Sequence, residues 1–388
     1  MGLFFANVIE GRANSDLYHL SQYLSDQGVS HEFYFKKVPE QGKYAPPDNF
    51  HGVFNPGVLL SLLFPKAFFE LAQHFRQYKP DVVLVSSDVL IGLGYLIRIV
   101  FRIPLVVYVR ESNEESWIRP DRVLPRRMLG WAGIWSRDRI MERSCAVVCV
   151  SSAMARYIQS RAPRSKCDVL PIGVDLEAFL PIQQLESLED TNHPLVVLYS
   201  GSLSENRSLT KLLDAIQIVD NAMPGKFHLK VAGHGLPKSR VGLEAAKRRI
   251  GDRVEVLPWL TRSEISREIA SADFCVETFR QQFPDTIMTN IKILEYMAAG
   301  RVVVALADYD RVRMLSGNRG ILYYEDTKEE IARALIKAAR LSSQERTEVG
   351  ESARLWVSAH HDGRKSAEKM YRVLIQCIES ANLSKTDR

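Results

Sequence analysis

The stretch TNIKILEYMAAGRVVVA (289–305) predicts an otherwise apolar helix that carries two charged residues and is followed by a strand. Lys292 and Glu295 are three positions apart, so a helix would place them on one face, and Gly300 predicts the end of that helix. A lysine in the first turn adds to the positive end of the helix dipole and could hold a diphosphate. Glu295 could then accept hydrogen bonds from the two hydroxyls of a ribose. The alternative is an exposed ion pair worth about 0.3–0.5 kcal/mol, but the small apolar residues around the glutamate favour a binding site.

A second candidate anion site follows a strand-like run. The segment YSGSLSENRSLTKLLDAI (199–216) predicts a strand, a tight turn at Gly201 and a helix. The N–H groups of such a turn and of the helix N-terminus can face an anion. Arg207 stands where its guanidinium could clamp a phosphate through two hydrogen bonds. The alternative is a solvated arginine at the start of a helix.

A pair of glycines ends the next strand-like run, LKVAGHGLPKSR (229–240). A lone G-x-G usually marks only a turn. Gly233 and Gly235 nevertheless fall at the second strand end of the second half of the chain, where a nucleotide would approach the backbone. We therefore predict that both glycines lie near a nucleotide.

These candidate sites must be positioned by a chain of 388 residues, which suits two domains of roughly 150–200 residues each. A hydrophobic content of 46% and a charged content of 25% are typical of a globular protein. The net charge of +5 does not indicate binding to nucleic acid over the whole surface, and we predict no nucleic-acid partner. The most apolar region, 89–109, is interrupted by Arg98, Arg102 and Pro104 and does not predict a membrane span.

The five cysteines form neither a C-x-x-C pair nor a zinc-binding spacing. We interpret this scattered set as reduced thiols, which indicates a cytoplasmic protein. The first residues, MGLFFANVIEG, lack a basic lead and a cleavage site, and they predict a first strand rather than a signal peptide.

Short β-rich runs alternate with helical stretches in both halves of the chain, which predicts an α/β protein with two doubly wound, Rossmann-like parallel sheets. We predict an N-terminal domain over 1–175, a linker over 176–194 and a second domain over 195–365. The last helix, 366–388, is amphipathic and could cross back to the N-terminal domain. Because ligands of such sheets bind beyond the carboxyl ends of the strands, we expect the site in the strand-to-helix loops of both domains, facing a cleft.

The segment 116–140 interleaves three tryptophans with arginines: Trp117, Trp131 and Trp135, and Arg119, Arg122, Arg126, Arg127, Arg137 and Arg139. This composition suits a peripheral contact with an anionic membrane surface. The same residues could bind nucleic acid, or the arginine stems could simply cover a core.

Several motifs together resemble the retaining glycosyltransferases of family 4, which have the GT-B fold. They are PLVVYVRES, MERSCAVVCVSSAMARYI, LPIGVDLEAFLP, GSLSENRSLTKLLDAI, VAGHG and NIKILEYMAAGRVVVA, and they run in order across about 100–375. The N-terminal ANVIEGRANSDLYHLSQYL fits the first strand, loop and helix of the same fold. Each motif is loose, and only the series is specific for the superfamily.

The resemblance implies a nucleoside-diphosphate sugar donor held mainly by the C-terminal domain and a glycan or lipid-linked acceptor held mainly by the N-terminal domain. Arg207 and Lys292 match positions that bind the donor diphosphate, and Glu295 matches the glutamate that binds the donor ribose. Gly11 belongs to the glycine-containing first loop near the diphosphate. Gly201 and its neighbours complete the diphosphate contacts. The resemblance thus implies a role in cell-surface polysaccharide or glycolipid synthesis.

The chain departs from the family pattern at several positions. Ile287 replaces a glutamate that often lies eight positions before the ribose-binding one, Ser202 replaces an arginine, and Ile172 replaces an asparagine. Where many members have a histidine, this chain has Arg110 followed by Glu111. These changes bear on the identity of the donor and on activity.

The mechanism that the resemblance implies is front-face substitution, in which the leaving diphosphate helps to deprotonate the incoming hydroxyl. The protein then stabilises the charge that develops on the diphosphate. Glu111 could hold the acceptor and Arg110 could contact the donor sugar or phosphate, the alternative being a structural ion pair at the strand end. We predict that no metal and no other cofactor takes part.

Two other classes of protein deserve comparison. A nicotinamide-dependent oxidoreductase would show G-x-G-x-x-G directly after a strand, and the sequence has none. A non-catalytic glycosyltransferase-like subunit is favoured by the loss of the earlier glutamate and of the histidine, where this chain has Ile287 and Arg110. It is opposed by the retention of Arg207, Lys292 and Glu295. A transferase is the interpretation that the residues favour.

Overall fold

The computed structural model describes residues 2–6, 15–35, 50–52, 72–73, 76, 80–86, 91–110, 118, 123–179, 194–203, 209–235, 238–258, 260–278, 290–307 and 320–386. The chain divides into two compact units. Unit 1 comprises residues 1–173 and 363–388, and unit 2 comprises residues 174–362.

Unit 1 contains a parallel sheet with the strand order β3-β2-β1-β4-β5-β6-β7. The central strands β4, β5 and β6 are buried along their whole length and consist largely of valine, as expected where helices cover both faces of a parallel sheet. The strands are β1 (Gly2–Ala6), β2 (His31–Phe35), β3 (Phe50–Gly52), β4 (Val82–Ser86), β5 (Leu105–Val109), β6 (Ala146–Cys149) and β7 (Cys167–Val169). The helices that follow them are α1 (Ser15–Asp26), α2 (Ile91–Phe101), α3 (Leu124–Arg143) and α4 (Ser152–Arg161).

Unit 2 contains a second parallel sheet, with the order β10-β9-β8-β11-β12-β13. Apolar cores lie on both of its faces. The strands are β8 (Leu195–Leu203), β9 (Phe227–Gly235), β10 (Val254–Val256), β11 (Phe274–Glu277), β12 (Val302–Leu306) and β13 (Ile321–Tyr324). The helices are α5 (Leu209–Ala222), α6 (Lys238–Lys247), α7 (Arg262–Ser271), α8 (Ile291–Ala298), α9 (Lys328–Ala339) and α10 (Ser343–His360).

Each sheet has one point where the order of its strands reverses. In unit 1 successive strands run outward from β1 in one direction and from β4 in the other, and in unit 2 they run outward from β8 and from β11. Ligands of open α/β sheets bind outside the carboxyl ends of the strands at such a switch point. The candidate site of unit 2 therefore lies where β8 and β11 end.

The last helix, α11 (Gly363–Thr386), belongs to unit 1 and packs against α1. The rings of Tyr23 and Tyr371 lie 5.8 Å apart, and Gly363 approaches His19 so closely that a Cβ there would lie 2.4 Å from the imidazole. A side chain at position 363 would therefore push the helix away from α1.

The prediction of reduced thiols is wrong for two of the cysteines. Cys145 and Cys377 form a disulfide, with their Cα atoms 5.9 Å apart, whereas Cys149, Cys167 and Cys275 are free thiols. The partners are 232 positions apart in the sequence, so no local spacing could reveal the pair. The disulfide also removes the cysteine pattern as support for a cytoplasmic location, which stays a prediction.

Two further features differ from the sequence patterns. The short strands β3 and β7 were not predicted, because three residues without a continuous apolar run give no strand signal. In the predicted linker, Phe179 is buried in the core of unit 2 and its carbonyl accepts a hydrogen bond of 2.7 Å from the Arg354 guanidinium. Residues 180–193 of that linker lie outside the described residues. Among the described helices, none has the length and apolar character that crossing a membrane requires.

Candidate functional site

The helix α8 carries the predicted lysine and glutamate, and both of its ends are fixed by specific contacts. At the start, the Asn290 side chain accepts a hydrogen bond of 3.0 Å from the Lys292 N–H, which is a standard N-cap. At the end, Gly300 has a left-handed backbone (φ 67°) and its N–H donates to the Met297 carbonyl at 3.0 Å. The Gly300 carbonyl is so close to α10 that a Cβ at Gly350 would lie 1.9 Å from it. The helix is therefore held firmly in unit 2.

Lys292 and Glu295 pair with each other on one face of α8, as their spacing predicts. Lys292 Nζ donates to Glu295 Oε2 at 2.8 Å, and the two side chains are only 17% and 11% exposed. The structure therefore excludes the exposed surface pair that was the alternative from sequence. A lysine ammonium carries three N–H donors, so the bond to Glu295 leaves it capacity for an anion. The assignment of both residues to the donor stays a prediction.

The neighbouring Tyr296 ties α8 to the carboxyl end of β8. Its hydroxyl accepts a hydrogen bond of 2.9 Å from the Ser200 N–H and lies 3.1 Å from Ser200 Oγ and 3.2 Å from the Ser200 carbonyl oxygen. Burial, with the nearby Cys275 and Glu277, raises the pKa of the Tyr296 phenol well above its ordinary value, against the effect of the bonds to Ser200. The phenol thus stays protonated, and it holds the C-terminal half of α8 beside the end of β8 at the switch point.

The predicted turn at Gly201 is wrong, whereas Gly233 and Gly235 end a strand as predicted. Gly201 lies inside a strand, because β8 continues to Leu203, and β9 continues to Gly235. Gly201 and Gly233 are register partners, and a Cβ at Gly233 would lie 1.8 Å from the Gly201 carbonyl oxygen. The close approach of the two strands, rather than a turn, therefore requires glycine at position 233. Gly235 pairs with Leu203 at the ends of the same two strands.

Sequence reasoning missed two buried polar residues at the end of β11. Glu277 is 3% exposed and Thr278 is 1% exposed, and the Tyr324 hydroxyl donates to the Glu277 carbonyl oxygen at 2.7 Å. The register of β8 and β11, continued by two residues, places Ser200 beside Glu277. The available signal was a Glu-Thr pair directly after an apolar strand, at the sheet edge where ligands bind.

The site residues predicted in unit 1 are described only in part. Arg110 directly follows β5, and its guanidinium carbon lies 6.0 Å from the centre of the Tyr108 ring. Ser86 ends β4 at the switch point, and its buried Oγ has no hydrogen-bond partner among the described residues. Gly11 and Glu111, like Arg207 of unit 2, lie outside the described residues.

A metal site is not evident in the part of the chain that the structure describes, where no group of three or more His, Cys, Asp or Glu side chains could hold an ion. The D-x-D spacing typical of a diphosphate-bound metal occurs once in the sequence, at Asp308 and Asp310, which lie outside that part. Metal independence therefore stays a prediction.

Two parallel α/β units, each with a switch point, define the two-domain Rossmann-like GT-B fold of glycosyltransferases. The model of Glycosyltransferase Family 4 matches residues 13–178, and the model of Glycosyl transferases group 1 matches residues 194–340. The chain belongs to this family 4-like group 1 of glycosyltransferases.

Solved structures support the fold over nearly the whole chain. Sucrose-phosphate synthase from Thermosynechococcus elongatus has a TM-score of 0.78 at 16% identity, covering 98% of this chain and 99% of that one. HepE from Anabaena, in complex with UDP and glucose, has a TM-score of 0.71 at 15% identity, covering 96% and 98%. A glycosyltransferase from Rickettsia africae has a TM-score of 0.71 at 14% identity, covering 97% and 98%. No curated protein matches this chain in sequence.

Proposed function

We propose that this glycosyltransferase moves a sugar, with retention of configuration, from a nucleoside-diphosphate sugar to a hydroxyl of a glycan or lipid-linked acceptor. The observation that carries the proposal is the buried Lys292–Glu295 pair, at the start of a helix that Tyr296 fixes to the switch point of unit 2. A cation and a carboxylate at this place suit the two polar parts of a nucleoside diphosphate.

The donor chemistry follows from the two charges. The Lys292 ammonium would bind the diphosphate together with the positive end of the α8 dipole. Glu295, one turn later, would accept hydrogen bonds from the ribose hydroxyls, which makes the bonds charge-assisted. Arg207 and Gly201 would add contacts to the diphosphate, and Gly233 and Gly235 would lie near the nucleotide. HepE, which shares the fold, has been crystallised with UDP and with UDP-glucose.

The reaction would then proceed on one face of the sugar. The bond between the anomeric carbon and the diphosphate oxygen breaks, the acceptor oxygen forms a new bond to that carbon from the same side, and the hydroxyl proton passes to the leaving diphosphate. Lys292 would stabilise the negative charge that develops on the diphosphate. Hydrogen-bond donors and cations make the same electrostatic contribution in acyl and phosphoryl transfer. Arg110 would contact the donor sugar or phosphate and Glu111 would hold the acceptor.

The acceptor class is proposed on the resemblance to the family, and we place the reaction in cell-surface polysaccharide or glycolipid synthesis. WaaG, another protein of this fold with 14% identity and a TM-score of 0.69, is a glycosyltransferase of lipopolysaccharide biosynthesis. The basic and aromatic surface of unit 1 is compatible with an acceptor presented at a membrane.

The test is donor binding followed by transfer. Calorimetric titration of the intact chain with UDP, GDP, ADP and dTDP should give one preferred nucleoside diphosphate, and Lys292→Ala should weaken its binding on the order of 30-fold or more. Lys247→Ala is the matched control, because Lys247 also pairs with a glutamate three positions away, on an exposed face of α6 in unit 2.

Transfer from the corresponding nucleotide sugar to a soluble acceptor should then give a product whose anomeric configuration, read by NMR, equals that of the donor. An inverted product would contradict retention. A folded chain that binds none of the four diphosphates would overturn the proposal and favour the non-catalytic subunit.

A further inference from the structure

The helix α3 presents an apolar stripe that the fold of unit 1 does not bury. Leu124, Met128, Trp131 and Trp135 follow one another at intervals of four, three and four residues, so they share one face of the helix. They are 66%, 63%, 53% and 65% exposed. Large aromatic side chains are usually mostly buried in folded proteins, so a stripe of this kind indicates a contact surface.

A different face of the same helix makes the contacts with the rest of unit 1. Ile134 and Met141 are buried there. Arg137 is also buried, and its Nη2 donates to Asp138 at 2.7 Å, while the Arg161 guanidinium binds the other oxygen of Asp138 at 3.0 Å. The C-terminal half of α3 is thus anchored in the fold, and its exposed stripe is not needed for that packing.

The neighbouring helix α2, which packs against α3, extends the apolar surface. Its Leu96, Ile99 and Val100 lie three and four positions apart on one face and are 44%, 53% and 55% exposed. The exposed apolar residues of the two helices together form what we call the α2–α3 surface: Leu96, Ile99, Val100, Leu124, Met128, Trp131 and Trp135.

The charges around the α2–α3 surface are strongly positive. Residues 91–102 and 123–143 contain seven arginines, of which only Arg137 is buried, and only two carboxylates. Both carboxylates already form ion pairs: Asp138 with Arg137 and Arg161, and Glu142 with the Arg139 guanidinium, at 2.6 Å between Glu142 Oε2 and Arg139 Nη1. The Arg139 guanidinium also lies 5.9 Å from the centre of the exposed Trp135 ring. An apolar stripe with tryptophans, bordered by arginines, is complementary to a partner that has an apolar interior beneath a negatively charged surface layer.

We propose that the α2–α3 surface docks on an anionic phospholipid bilayer. The tryptophans and aliphatic side chains would enter the boundary between head groups and acyl chains, and the arginines would contact lipid phosphates. The helices would lie in the membrane surface and would not cross it. This inference concerns unit 1 alone, so it stands or fails separately from the donor site in unit 2.

The experiment is flotation of the intact chain with vesicles. The protein should rise with vesicles of phosphatidylglycerol and phosphatidylcholine in equal parts, and much less with phosphatidylcholine alone. The double variant Trp131→Ser, Trp135→Ser removes two large apolar contacts and should lower the partition on the order of tenfold or more. Leu355→Ser is the matched apolar control, because Leu355 is 72% exposed on α10 in unit 2.

The contribution of charge to vesicle binding is tested with Arg126→Glu. This variant should bind anionic vesicles less, and the binding that remains should depend less on salt concentration. Arg333→Glu, on an exposed face of α9 in unit 2, makes the same charge change and should have no effect. Fluorescence provides an independent readout, because brominated lipids should quench the wild-type tryptophans and quench the double variant far less.

Three results would overturn the proposal. The wild-type chain could fail to rise with anionic vesicles, or the double tryptophan variant could bind them as well as the wild type. Sedimentation could instead show a dimer that the double variant dissociates, without vesicle binding, in which case a second copy covers the surface. Unchanged circular dichroism and donor binding in the double variant would establish that it is folded.

Discussion

Two lysine–glutamate pairs in unit 2 have almost the same geometry and very different surroundings. Lys292 and Glu295 on α8 are 2.8 Å apart, and Lys247 and Glu244 on α6 are 2.7 Å apart. Both pairs span three positions of a helix. The side chains of the first pair are 17% and 11% exposed, whereas those of the second are 59% and 31% exposed. Spacing and distance alone therefore do not distinguish a binding site from a surface pair.

The surroundings make the distinction. Glu244 also accepts a hydrogen bond of 2.9 Å from Arg248. The Lys247–Glu244 pair itself is open to water, and pairs of this kind contribute little to stability. Lys292 and Glu295 lie among buried apolar residues at the switch point, where removing charges from water is costly. This cost is the reason why we propose a charged ligand, and not stability, as the role of the two charges.

The largest difference between the pairs should appear in stability. Lys292→Met leaves Glu295 mostly buried without its ammonium partner, so we expect a loss of about 2 kcal/mol or more in the free energy of unfolding. Lys247→Met should change it by less than about 0.5 kcal/mol. Urea unfolding of both variants measures the difference, and the double variant Lys292→Met, Glu295→Met should recover part of the loss because both charges of this pair are then removed. Equal effects of the two single variants would show that the pairs are energetically alike.

A smaller difference should appear in recognition of the ribose, and this prediction rests on the proposed function. The wild type should bind the preferred nucleoside diphosphate roughly tenfold more tightly than its 2′-deoxy form, because Glu295 accepts a hydrogen bond from the 2′-hydroxyl. Glu295→Gln should bring the ratio of the two dissociation constants close to one. Glu244→Gln should leave the ratio unchanged, and calorimetric titration with both nucleotides measures it. If Glu295→Gln leaves this ratio unchanged, Glu295 does not bind the ribose 2′-hydroxyl.

The smallest effect concerns the exposed pair and acid pH. The hydrogen bonds from Lys247 and then Arg248 lower the pKa of Glu244 from 4.5 to about 2. Since the folded state prefers the ionised form, this carboxylate stabilises the protein above pH 4.5, and that stabilisation is lost as the pH falls from 4.5 towards 2. The melting temperature of the wild type should therefore exceed that of Glu244→Gln slightly at pH 6, and the gap should close with acidification. A gap that widens in acid would contradict the assignment.

Much of the fold follows from local pattern. Continuous valine-rich runs predicted the central strands β4, β5 and β12, because strands buried on both faces need no polar alternation. The same local pattern located α8 and placed Lys292 and Glu295 on one face.

The sequence could not predict features that depend on contacts between distant residues. Gly233 is required by the carbonyl of Gly201 on another strand, and only the register reveals that approach. Glu277 and Thr278 become site candidates only when β11 is known to lie beside β8. The burial of the Lys292–Glu295 pair likewise depends on residues packed around α8 from elsewhere in unit 2.

The disulfide between Cys145 and Cys377 has a consequence for the connectivity of the whole molecule. All of unit 2 lies between these two cysteines in sequence, so the bond turns the segment 145–377 into a covalent ring from which two tails emerge. Unit 2 is an inserted domain whose two ends both lead into unit 1, and the ring keeps both ends joined when unit 2 unfolds. In the chain-entropy description, closing a loop of this size lowers the conformational entropy of the unfolded chain and so raises the free energy of unfolding by about 5 kcal/mol. The oxidation state of Cys145 and Cys377 should therefore govern how far unit 2 can unfold independently of unit 1.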